Sequence, residues 1–130
     1  MIEYIILHCS DSPQGRGDNA ETIHNWHLEK GWSGIGYNFV ILEDGSTEVG
    51  RPPYWQGAHT KGYNHNSIGI CMIGKDSFTP EQINGVLNLI NGLMVQYNIP
   101  KERVLGHCET ALAEGKACPN YPMQDIRARL

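Results

Sequence analysis

The sequence predicts an α/β fold: a single domain over residues 1–130 with a mixed central β-sheet flanked by helices. Three observations predict it. Short apolar runs of strand length recur along the chain, two longer segments with helical signals separate them, and an Asp-Gly dipeptide sits between two β-prone runs. Strands separated by helices favour parallel pairing, while the hairpin adds an antiparallel strand, so the sheet is expected to be mixed.

The first element, "IEYIILH", is rich in isoleucine, too short for an ordinary helix and bounded by the turn-prone "CSDSPQGRGDN". It reads as a buried strand. "DNAETIHNWHLEKG" places Asp18 three residues before Glu21, the spacing of a capping box, and ends in Gly31 after Lys30, which predicts a helix over about 19–30. In "YNFVILEDGSTEVGR" the Asp44-Gly45 pair accepts the positive φ angles of a tight hairpin turn. "NSIGICMIG" reads as a strand buried on both faces. "FTPEQINGVLNLINGLMVQYNIP" offers Thr79 as N-cap, Pro80 at the first helical position and apolar residues at 83, 86, 87, 90, 93, 94 and 97. This predicts the long core helix, weakened by Gly85 and Gly92 and ended by Pro100. "RVLGHC" is a last short strand, "ETALAEGKACPNYP" a loop and "MQDIRARL" a terminal helical turn or two.

A chain of 130 residues buries about two thirds of its unfolded surface without needing disulfides. Its net charge is −4, with Lys and Arg scattered, which argues against a nucleic-acid footprint. "MIEYIILHCSDSP" has no basic leader and too short an apolar run for a signal peptide or membrane span, so synthesis in the cytoplasm is expected. In a reducing compartment Cys9, Cys71, Cys108 and Cys118 are better read as thiols than as disulfides.

The dipeptide His-Cys occurs twice, as His8-Cys9 ending the first strand and His107-Cys108 ending the last. Successive side chains of a strand point to opposite faces, so each pair offers one residue to a site and one to the packed side. A strand mouth takes a polar group and a core accepts cysteine, which assigns both histidines to the site and Cys9 and Cys108 to the packing. Cys118 in the loop beyond would complete a His-His-Cys zinc set, with a fourth position left for water. Spacing alone favours hydrogen-bonded structural histidines and core cysteines over this set, because ligands drawn from distant segments have no regular sequence signature. His24 and His27, at i and i+3 on the first predicted helix, read as a solvated face, and Trp26, Trp32 and Trp55 as core or cleft residues.

Five phrases decide between these readings: "ILHCSDSP", "IHNWHLEKGWSGIGYNFVILEDGSTEVGRP", "GAHTKGYNHNSIGICMIG", "FTPEQ" and "GHCETALAEGKACPN". In this order and over nearly the whole chain the sequence resembles the zinc N-acetylmuramoyl-L-alanine amidases, the T-odd phage lysozymes and peptidoglycan recognition proteins among them. The resemblance implies one zinc ion on His8, His107 and Cys118, with Tyr37 and Lys116 as catalytic residues. It also places "GAHTKGYNHNSIG" at the substrate groove, with His59, Thr60, Asn64 and Asn66 as substrate-binding residues for a neutral glycopeptide. The activity implied is hydrolysis of the amide between N-acetylmuramic acid and L-alanine in bacterial peptidoglycan, by a monomeric phage endolysin held in the host cytoplasm before release to the wall. A phage RNA polymerase is a further partner of such lysozymes; here only seven residues precede His8, a shorter arm than theirs, and "SDSPQGRGDN" departs from their pattern. A non-catalytic peptidoglycan-binding module is the remaining alternative, and the intact His8, His107, Cys118 set argues against it.

Overall fold

A computed structural model describes residues 1–112 and 115–130; positions 113 and 114 of the predicted loop after the last strand lie outside the described residues. In chain order the strands and α-helices are β1 (Tyr4–Cys9), α1 (Ala20–Glu29), β2 (Phe39–Ile41), β3 (Thr47–Val49), β4 (Ser67–Met72), α2 (Pro80–Tyr97), β5 (Val104–Gly106) and α3 (Met123–Ala128). The sheet order is β3-β2-β4-β1-β5, antiparallel only between β2 and β3. This is the mixed sheet expected, with β1 and β4 at its centre.

Alternation along β1 separates two faces. Ile5 and Leu7 join Ile68, Ile70 and Met72 of β4 under α2 and α3, where Ile83, Val86, Ile90, Met123 and Ile126 close the larger core. Val40 of β2 and Cys71 of β4 point the other way, with Ile23 of α1, Ile35 and Ile73 in a smaller core. His8 is in register with Cys71, and Cys71 with Val40, so the imidazole stands on the α1 face of the sheet.

Local signals set the helix ends. Thr79 Oγ1 accepts the Gln82 N–H and the Gln82 side chain returns to the Thr79 N–H, a capping box with Pro80 in the first turn. Gln82 does more. Fully buried, it donates through Nε2 to the carbonyls of Ile41 and Ile73 at 3.3 and 2.7 Å, tying the start of α2 to two strand ends. The helix ends at Tyr97 with Asn98 in the left-handed region, two residues ahead of Pro100. For α1 the cap is Asn19 with Thr22, one residue later than the Asp18–Glu21 box expected. The Asp18 carboxylate is occupied by the Arg16 guanidinium at 2.9 Å, which leaves the neighbouring amide to cap.

The two glycines expected to weaken α2 differ. A Cβ on Gly85 would meet the Gly45 carbonyl oxygen at 2.2 Å, and one on Gly45, whose φ is +89°, would meet the Glu81 carbonyl oxygen at 2.4 Å. Those absent side chains let the hairpin turn lie directly on the helix. Around Gly92 nothing approaches, so only its helix-propensity cost remains.

Candidate metal centre and its cleft

His8 sits near the end of β1, 1% exposed, with three other rings set at tilted or edge-on angles around it. The ring of His107 lies 4.6 Å from it, that of Tyr37 5.0 Å and that of His59 5.0 Å, centroid to centroid. His8, His107 and Cys118 each offer a ligand atom within 4.8 Å of the other two. Residues 110 apart in the chain thus meet because β1 pairs with β5 and the segment after β5 folds back over the end of β1.

The donor set suits a soft, tetrahedral cation. The backbone N–H of Cys9 donates to Cys118 Sγ at 3.1 Å, a contact that favours a thiolate. Without a cation, the adjacent Cys9 thiol and burial hold Cys118 protonated, since two neighbouring thiols resist double ionisation. Burial, then the neighbouring His59 and His107, drives His8 well below the usual histidine range; burial and the Lys116 charge lower His107. Both imidazoles are therefore neutral near pH 7, the form that binds metal.

Beside the cluster opens a cleft of 450 Å³ lined by Trp32, His59, Thr60, Asn64, His107 and Lys116 among others. Burial and the thiols of Cys71, Cys118 and Cys9 raise the Tyr37 phenol well above its ordinary range, so it stays protonated and able to donate. Lys116 is exposed on the cleft wall.

Of the predicted groove residues, His59, Thr60 and Asn64 line this cleft, whereas Asn66, directly before β4, turns to the residue preceding β1, donating through Nδ2 to Glu3 at 3.2 Å. The Asn64 side chain turns inward and accepts the N–H groups of His59 and Thr60, both at 2.8 Å. Trp32 borders the cleft, Trp26 packs on the smaller core and Trp55 is exposed.

Two expectations are overturned. Cys108 is exposed rather than packed, because β5 ends at Gly106 and a 3-10 turn, His107–Glu109, follows; strand alternation does not extend that far. Only the Cys9 half of the assignment holds, for that residue is buried. Nor do His24 and His27 form a solvated face. Their Nδ1 atoms accept the N–H groups of Ile35 and Gly36 at 3.0 and 2.8 Å, holding the approach to Tyr37 in place.

Sequence reasoning missed Asn38, Ser67 and Gln82 as buried polar residues with structural tasks. Asn38 accepts the Gly69 N–H through Oδ1 and donates to the Arg51 carbonyl, extending the β2–β4 pairing at the point where Tyr37 enters. The only local signal was their polarity inside or beside apolar runs.

A mixed sheet with a His-His-Cys cluster on one face, open to a cleft with an ammonium on its wall, defines the class: a single α/β domain with a candidate metal centre in an open cleft. The particular family follows from sequence, for the chain belongs to the N-acetylmuramoyl-L-alanine amidase family, whose model matches residues 1–121. It is 37% identical over 128 residues to the endolysin of Escherichia phage T7, covering 92% of this chain and 82% of that one. Among solved structures it resembles the N-acetylmuramoyl-L-alanine amidase LysC from Clostridium intestinale, with a TM-score of 0.86 and 31% identity over 98% of this chain and 84% of that one. It also resembles the Drosophila peptidoglycan recognition protein LB, with a TM-score of 0.80 and 29% identity over 96% of this chain and 79% of the other.

Proposed function

We propose that the protein is a zinc-dependent phage endolysin that hydrolyses the amide between the lactyl group of N-acetylmuramic acid and L-alanine of the stem peptide, using one zinc ion on His8, His107 and Cys118. The observation that carries the metal is the cluster of three ligand atoms within 4.8 Å, with neutral imidazoles and an N–H···S donor. A zinc ion there supplies a Lewis acid for the scissile carbonyl and a water acidic enough to be a nucleophile near neutral pH.

The chain's own groups supply the rest. Lys116, on the cleft wall, stabilises the negative charge that develops on the carbonyl oxygen. Tyr37, kept protonated by its surroundings and with its ring tilted against that of His8, donates a hydrogen bond toward the reacting centre. His59 and Asn64 shape the wall against which a glycopeptide lies. In the cell the protein is made in the cytoplasm of the infected host and acts as a monomer once it reaches the wall.

The test is digestion of purified peptidoglycan by the zinc-loaded protein, with and without chelator, read by mass spectrometry. Free stem peptides beginning with L-alanine beside uncut glycan strands, lost on chelation, are expected. Intact wall from a folded, zinc-loaded protein would refute the amidase reading, and cleavage that survives chelation would refute the zinc requirement.

A further inference from the structure

The His8 ring has two nitrogens, and one is already engaged. Its Nε2 lies 3.0 Å from Thr60 Oγ1 and 3.0 Å from His59 Nδ1, which are 2.8 Å from each other. On the far side of the His59 ring, Nε2 is 3.3 Å from Ser67 Oγ, which donates to the Tyr63 carbonyl at 2.7 Å. Thr60 and Ser67 are each 2% exposed.

This chain has a fixed direction. A carbonyl can only accept, so the single hydroxyl proton of Ser67 is spent on Tyr63, and Ser67 Oγ can only accept from His59. His59 therefore carries its proton on Nε2 and presents a bare Nδ1, to which the Thr60 hydroxyl donates. The Thr60 oxygen is left to accept, and His8 must carry its proton on Nε2. The opposite tautomer of His59 would set two lone pairs against each other at Ser67.

We infer that Thr60, His59 and Ser67 are positioning residues that lock His8 as its Nε2–H tautomer, leaving Nδ1 as the atom that faces the metal. This rests on the zinc reading of the site and adds to it the residues that orient its most buried ligand. Metal-bound histidines characteristically donate their second N–H, and loss of that partner typically weakens metal binding about 10- to 100-fold. The sheet makes room for the relay. A Cβ on Gly69 of β4 would fall 2.5 Å from His59 Cγ and Cδ2, and one on Gly57 2.6 Å from Cδ2, so the His59 ring lies on two glycines.

The experiment compares the wild-type chain with Thr60→Val, Thr60→Ser and Gly69→Ala. Zinc affinity is measured by competition with a chromophoric chelator, and the His8 tautomer in the metal-free protein by long-range ¹H–¹⁵N correlation. Thr60→Val removes the hydroxyl acceptor, and with it the donor to His59 Nδ1, at nearly constant shape, leaving His59 Nδ1 as the one remaining contact of His8 Nε2; zinc affinity about tenfold below wild type is expected, with a weakened Nε2–H signature. Thr60→Ser should restore both, and Gly69→Ala, which displaces the His59 ring, should weaken both. Wild-type affinity and tautomer in Thr60→Val would overturn the relay. So would equal impairment of Thr60→Ser and Thr60→Val, which would mark a packing effect. A wild-type chain with the Nε2–H tautomer that takes up no zinc would support the hydrogen-bond order but overturn the metal's part in it, separating failure of the zinc reading from failure of the relay.

Discussion

His8 and His107 are the same residue type, each followed by cysteine and each offering a nitrogen to the same cluster, yet their settings differ. His8 belongs to a central strand paired on both sides, is 1% exposed and has one ring nitrogen engaged by side chains from the 59–60 segment. His107 lies just past a three-residue edge strand, in a 3-10 turn, half-buried, and among the described residues no side chain hydrogen-bonds its ring. The pair teaches that a sheet centre supplies a side chain already oriented by its neighbours, while a sheet edge supplies one left freer to adjust.

The strongest way to break this comparison is to remove a ligand altogether. His8→Ala, His107→Ala and Cys118→Ser should each lose zinc and wall cleavage by more than the about 10- to 100-fold typical of an orienting partner, measured by metal content and by stem-peptide release. His8→Ala should also lower thermal stability, because it empties a buried site, whereas His107→Ala should leave the melting temperature of the metal-free protein nearly unchanged. The cysteines sharpen the contrast. Cys9→Ser introduces a hydroxyl into a buried position and is expected to cost about 1–3 kcal/mol in chemical denaturation, against less than about 0.5 kcal/mol for the exposed Cys108→Ser, which should retain zinc and activity.

Acidity provides a further test. Burial holds His27 near 4 and His59 near 3, below the ordinary 6.5, so the unfolded chain binds protons that the folded one refuses. For these depressed histidines, the metal-free protein should lose stability as pH falls from about 6.5 toward 4 and 3, and show no such loss above 7. His27→Asn, which keeps an acceptor for the Gly36 N–H without a titrating group, should make that slope shallower in denaturation curves taken across the range.

What could be read in the sequence follows the reach of each interaction. The start of α2 was legible because Thr79, Pro80 and Gln82 act within one turn, and the Asp44-Gly45 hairpin because its turn geometry is local. The cap of α1 slipped by one residue because Arg16 takes up Asp18, a competition that helix signals do not encode. Alternation correctly sent His8 and Cys9 to opposite sides; it failed at Cys108 because the strand stops two residues earlier. His107 and Cys118 fall into the cluster all the same, carried there by the family's phrases rather than by strand geometry. Thr60 and Ser67 belong to a chain of contacts between segments far apart in sequence, and no spacing announces it.

The central place of β1 governs when the site can exist. Its two neighbours are β4 and β5, so Tyr4 waits for Ser67 and Ile5 for Val104 before either side of the strand is satisfied. Contacts of such long sequence separation require loop closure before they are rewarded, which slows folding. As the chain leaves the ribosome, His8 emerges 110 residues ahead of Cys118, and the cluster stays unassembled until that later segment has followed.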